Sequence, residues 1–170
     1  MDKPRQIDTT AHLEELIQQK AIKLEVTDGI RTWRLLPSLR HQKLIDRIRA
    51  TIQPVSGLAG CGCYHISDAS LRFPDGSLKR PDIAIFCVEP PDIDESWEQV
   101  PEAVIEIVSA DYEEKDLSIN PPWYIAQGVK DVLIVEPRSK YVKHFCHGQA
   151  PRELGLPLSL VLRCGCQVTI

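Results

Sequence analysis

The chain has 170 residues, 43% of them apolar and 26% charged, which is the composition of a folded globular protein and excludes wholesale disorder. Its 20 Lys and Arg against 24 Asp and Glu leave a net charge of −4, so it cannot coat nucleic acid by charge alone and would need a local basic patch or a bound cation. No run approaches the roughly 18 apolar residues of a membrane span, and the polar start MDKPRQIDTT lacks an apolar signal core. A cytoplasmic address without membrane contact is expected, with cysteines mostly reduced.

The length suits one domain over residues 1–170. Residues 11–21 place Leu13, Leu16 and Ile17 on one face, which predicts a helix with Thr10 as its cap. KLEVTDGIRTWRLLP follows, two β-like runs around Asp28-Gly29, a hairpin signal. Ser38 can cap a second helix over residues 38–52. Leu44, Ile45, Ile48 and Ile52 form its apolar stripe, and Arg40, Lys43, Arg47 and Arg49 make the densest basic patch of the chain.

Gly57, Gly60 and Gly62 loosen the chain before short β-like runs at 63–66 and 69–73. Pro74-Asp75-Gly76-Ser77 is a turn. RPDIAIFCVE is a strand, followed by the acidic, proline-rich loop EPPDIDESWEQVP. AVIEIV, residues 103–108, is apolar except for one carboxylate, and the polar residues 109–120 form a loop. A short helix stands behind Pro121-Pro122 and stops at Gly128. DVLIVEP and KYVKHFC are further strands, and LPLSLVLRCGCQVTI adds one or two edge strands. This order describes an α/β fold with a mixed central sheet flanked by helices. The runs at 103–108 and 132–135 are apolar on both faces, so they are its central strands.

The informative pair is Asp82 and Glu106. Asp82 opens a strand, and Glu106 sits in the middle of one, sharing a face with Val104 and Val108. A buried carboxylate costs several kcal/mol unless a basic partner, hydrogen bonds or a metal ion offsets it. Two acids on neighbouring strands can share one divalent cation, which neutralises and orients phosphate. A salt bridge to a nearby Arg or Lys is the competing explanation.

RPDIAIF (80–86), PEAVIEIVSA (101–110), WYIAQGVKDVLIVEP (123–137) and KYVKHF (140–145) follow one another in an order that resembles the Uma-two family of "putative restriction endonucleases". That family belongs to the PD-(D/E)xK nuclease-like superfamily. LEVTDG (24–29) and the helix carrying His41 resemble its N-terminal hairpin and first helix. The resemblance implies a restriction-endonuclease-like core over about residues 38–146, preceded by a helix and a hairpin. It also implies Mg²⁺ or Mn²⁺ held by Asp82 and Glu106, with the Ile107 carbonyl and Glu25 as further ligands, and DNA as substrate. A two-fold homodimer fits, since cutting both strands needs two sites.

One part of the family pattern is missing. The superfamily carries a lysine two residues after the second acid, where this chain has Val108. The family carries it on the following helix, where this chain has Asn120. Lys115 takes the catalytic role in the leading reading, a metal-dependent endonuclease, and Lys79 is a second candidate. The alternative is a degenerate nuclease fold, kept as a binding or regulatory module without an active-site lysine.

Other features carry less. Cys61/Cys63 and Cys164/Cys166 form two Cys-Gly-Cys pairs, but one intervening residue is short for a zinc site and the resemblance predicts none, so zinc is disfavoured. His144 and His147 read as a partly exposed edge strand ahead of a metal pair, and His41 as a packing or capping residue ahead of one that faces the site. Trp97 could stack on a base, close a dimer interface or anchor the acidic loop into the core. No glycine-rich phosphate loop or nucleophilic Ser or Cys motif is present.

Overall fold

The computed structural model describes residues 22–27, 29–57, 60–108 and 118–170. The helix expected over 11–21, the turn residue Asp28 and Lys115 lie outside the described residues, as does most of the polar segment 109–120.

A six-stranded sheet forms the centre. Its strands are β4 (Tyr64–Ile66), β7 (Ile83–Phe86), β8 (Ala103–Ile107), β9 (Asp131–Glu136), β10 (Tyr141–Cys146) and β11 (Arg152–Gly155), in the order β11-β10-β9-β8-β7-β4. β8 and β9 run parallel and the other neighbours antiparallel, so the sheet is mixed. A parallel pair needs a crossover. Helix α2 (Asn120–Ala126) lies on it, begun by Pro121-Pro122 in its first turn. Every residue of β8 and β9 is buried, as two-sided apolar runs require.

Each face of the sheet has its own layer. Ile83, Ile85, Ile105, Leu133 and Val135 pack with Ile45 and Ile48 of helix α1 (Leu39–Arg49). Ala84, Phe86, Val104, Val132 and Ile134 pack with Tyr124 of α2. The alternation of side chains along each strand sorts residues between these layers. At the start of α1 the Ser38 side chain accepts from the His41 backbone N–H at 3.3 Å. Arg47 and Arg49 suit its last turn, where the helix dipole is negative.

Two smaller sheets flank this core. β1 (Ile22–Thr27) and β2 (Ile30–Leu35) form the expected hairpin, registered from Ile22 opposite Leu35 to Thr27 opposite Ile30. Gly29 supplies the positive φ of the turn. β1 also pairs β6 (Leu78–Lys79), which pairs β5 (Leu71–Arg72). The C-terminal strands β12 (Ser159–Val161) and β13 (Cys166–Thr169) do not edge the central sheet, as the sequence suggested. They make a separate sheet with β3 (Gln53–Pro54), because β11 already covers the β10 edge.

Of the readings open for Trp97, its contacts are those of a loop anchor. Its backbone pairs with Ser70 and Arg72, and its ring centroid lies 4.6 Å from that of Phe86. The cysteines depart from the expectation of reduced thiols. Cys61 is joined to Cys87 and Cys63 to Cys166, while Cys146 and Cys164 are free. Among the described residues, no helix is long and apolar enough to cross a membrane.

Candidate metal centre and its surroundings

β7 and β8 pair with Ile83 opposite Ile105 and Ala84 opposite Val104. Carried on by one residue, that register sets Asp82 beside Glu106, both on the face covered by α2. The backbone ladder stops there for a chemical reason. Pro81, next in register opposite Ile107, has no N–H to give. Its carbonyl accepts instead from the Asp68 N–H at 3.1 Å. The two carboxylates take over the ladder's work: the Ile107 N–H donates to Asp82 Oδ2 at 2.8 Å, and the Asp82 N–H donates to Glu106 Oε2 at 3.2 Å. Both acids are over nine-tenths buried, at 8% and 4% exposure.

Two further side chains touch this junction. The Tyr124 hydroxyl donates to Glu106 Oε1 at 2.8 Å. Burial, and then the charges of Glu106, Glu25 and Asp82, push the Tyr124 pKa well above that of an ordinary phenol, so it remains a donor. His41 Nε2 lies 3.1 Å from Asp82 Oδ2 without hydrogen-bond alignment. The neighbouring Arg80 turns away and grips the Asp68 carboxylate at 2.9 Å and its carbonyl at 3.2 Å.

Glu25 joins the cluster through the second sheet. Val26 pairs with Leu78, so the next position sets Glu25 opposite Lys79. Both are buried, and the charge of Glu25 is felt at the Tyr124 hydroxyl. Lys79 Nζ donates to Asn120 Oδ1 at 3.2 Å and lies 4.9 Å from the Trp123 ring centroid, within cation–π range. Asn120 stands where the family resemblance expects a lysine. A lysine from β6 brings its ammonium to that amide.

Gathered about this junction and α2 are three buried carboxylates, Glu25, Asp82 and Glu106, and one buried ammonium, Lys79, while Asp131 and Glu136 of β9 are buried as well. Excess buried negative charge calls for a cation. An all-oxygen donor set suits a hard divalent ion such as Mg²⁺ or Mn²⁺. The Ile107 carbonyl is a further oxygen next to Asp82, opposite a proline that offers it no donor.

The basic helix divides by role. Arg40, Lys43 and Arg47 are exposed, whereas Arg49 is tied to Ser67 Oγ at 3.1 Å and to the His65 carbonyl at 3.4 Å. The edge-strand reading of His144 is corrected. β10 lies inside the sheet, and His144 is buried with its Nε2 2.8 Å from Asp131 Oδ1. Arg152 can only donate, so its 3.0 Å contact makes His144 Nδ1 the acceptor and puts the ring proton on Nε2, toward Asp131. Cys146 also donates to Asp131 Oδ1, at 3.3 Å, and the Arg163 N–H to Oδ2, at 2.8 Å. His147 is exposed.

Sequence reasoning did not assign roles to Tyr124 or Asn120, and it read His41 as packing. The signal for Tyr124 was a hydroxyl on the helix covering the Glu106 face. For His41 nothing in the sequence indicated which way the helix presents it.

No curated protein is significantly similar in sequence. In fold the chain is similar to a crystal structure from Anabaena variabilis described as a "putative nuclease belonging to DUF820", with a TM-score of 0.64, 17% identity and 90% of each chain covered. Residues 10–168 match a family, Uma2, that is described as "Putative restriction endonuclease". That match spans nearly the whole chain, and the protein belongs to the Uma2 family.

Proposed function

We propose that the protein is a divalent-cation-dependent endonuclease that hydrolyses DNA phosphodiester bonds at the Asp82–Glu106 junction. One observation carries this reading: two buried carboxylates on neighbouring central strands interlock through each other's strand N–H groups, under a helix whose Asn120 holds a buried ammonium and whose Tyr124 feels the charge of a third carboxylate, Glu25. Asp82, Glu106, Glu25 and the Ile107 carbonyl would hold Mg²⁺ or Mn²⁺. Such an ion neutralises phosphate and makes water more acidic.

The chain's own groups divide the remaining work. Tyr124 holds Glu106 in one orientation, and the Ile107 N–H and His41 hold Asp82. Lys79 stabilises the charge that builds on the phosphate oxygens during displacement, and Asn120 and Trp123 aim its ammonium. Lys115 stays a candidate for the same role. Exposed Arg40, Lys43 and Arg47 lie on the helix that carries His41 and would contact the DNA backbone. A two-fold dimer would bring one junction to each strand. The competing reading, a fold kept without its lysine, starts from Val108 and Asn120. The buried Lys79 ammonium on Asn120 favours the catalytic one.

Plasmid DNA incubated with Mg²⁺ or Mn²⁺ tests the proposal. Nicking above the level of Asp82→Ala and Glu106→Gln, abolished by a chelator, is expected. Cleavage no greater than that of Asp82→Ala removes the activity. Calorimetric titration with Mn²⁺ separates the parts, because a chain that binds the ion without cutting DNA is the regulatory module.

A further inference from the structure

Four of the six cysteines converge away from the acidic junction. Cys61 and Cys63 lie just before β4, Cys87 directly follows β7, and Cys166 opens β13. The Cys61–Cys87 and Cys63–Cys166 pairs touch each other: Cys61 Sγ lies 3.5 Å from Cys166 Sγ. The sulfurs of Cys61, Cys63 and Cys166 all lie within 4.8 Å of one another. Cys87 is bonded to Cys61 and adjoins this group of three without belonging to it.

Cys61 and Cys63 are two residues apart, so their disulfides lie side by side, and once reduced the same sulfurs are close enough to share one ion. A tetrahedral zinc with Zn–S bonds of about 2.3 Å sets its sulfurs about 3.8 Å apart, close to the cross-pair spacing found. The backbone is shaped for the convergence. Cys63 has φ +52°, uncommon for a side-chain-bearing residue, and this turns the Cys-Gly-Cys segment so that both sulfurs meet the others. Gly62 donates its N–H to the Cys87 carbonyl at 3.0 Å. A Cβ at Gly62 would run into the Tyr64 ring and stand 3.1 Å from that carbonyl oxygen, so only glycine lets the segment approach the end of β7. A tight turn at Leu162–Cys166, with Gly165 at φ +88°, delivers Cys166.

We propose that, once a dithiol reductant has opened the Cys61–Cys87 and Cys63–Cys166 disulfides, two electrons and two protons passing to each as the dithiol closes to its own disulfide, the four cysteines bind one structural Zn²⁺ as thiolates. Each thiol releases its proton on binding, and the ion clips the small C-terminal sheet to the end of β7. The spacing of the two Cys-Gly-Cys pairs disfavoured zinc because it offered Cys164 as the fourth ligand. The fold offers Cys87 in its place, and Cys164 is one of the two free thiols. The site is structural because Asp82 and Cys87 flank opposite ends of β7, about 16 Å apart along an extended strand.

Elemental analysis of the full chain, purified with a dithiol reductant and then desalted from equimolar ZnCl₂, tests this. One zinc per chain is expected. CoCl₂ in place of zinc should give the strong visible bands and thiolate charge transfer of a tetrahedral tetrathiolate site, a readout that needs no variant. Cys87→Ser, at a half-buried position, should lose the metal, while Cys146→Ser and Cys164→Ser keep it. Less than half an equivalent of zinc on folded reduced protein, octahedral cobalt spectra, or full retention by Cys87→Ser overturns the proposal.

Discussion

Replacing Lys79 with methionine keeps the length of a fully buried side chain and removes its charge. Two effects follow. An ammonium about 4–5 Å from the developing phosphate charge, at an effective dielectric near 20, is worth about 3–4 kcal/mol, or roughly 10²–10³-fold in rate. The same change strips a positive charge from among buried carboxylates, which costs about 3–5 kcal/mol of stability. The second effect would mask the first if the variant unfolded. Glu25→Gln supplies the control, since Glu25 stands opposite Lys79 in register. In the Lys79→Met/Glu25→Gln double variant the charges are removed together, so stability should largely return. Its plasmid-nicking rate should still fall about 10²–10³-fold below that of Glu25→Gln alone, with melting curves run alongside. A folded double variant that cuts within threefold of Glu25→Gln would falsify the role of Lys79.

Tyr124→Phe keeps the ring and deletes one donor to a buried carboxylate. It should cost about 2 kcal/mol and lower Tm by about 4–8 °C, read by circular dichroism; an unchanged Tm would show the bond contributes nothing. Asp131 concerns acid stability. Burial raises its pKa, but bonds from His144, the Arg163 N–H and Cys146 outweigh burial and leave it below the usual carboxyl value. Stability from a depressed pKa is present above the unfolded value, about 3.8, and disappears as pH falls through the folded one. Urea titrations from neutral pH downward should show Asp131→Asn weaker than wild type near neutrality and flatter below about pH 4; parallel curves would contradict this. Charge reversal at Arg40, Lys43 and Arg47 should reduce the slope of log K for DNA against log salt by up to about 3, measured by fluorescence anisotropy. An unchanged slope would move the DNA-binding face elsewhere.

Local patterns in the chain specify a good deal by themselves. The two-sided apolar runs at 103–108 and 132–135 mark central strands, Asp28-Gly29 signals a hairpin turn, and the proline pair suits the start of a helix. The same alternation puts Glu106 on the face of Val104, so a carboxylate in a buried layer is legible before any fold is known. Side-chain period, turn chemistry and burial cost all act within a few residues. Long-range juxtaposition depends on register between distant strands, and no local rule sets it. Only the tertiary structure places Asp82 against Glu106, brings Lys79 from another sheet to Asn120, aims His41 at Asp82 and buries His144 beside Asp131. It also joins Cys87 to Cys61 and leaves Cys164 free. In each case the partner is chosen by how sheets stack and end, which depends on packing across the whole core.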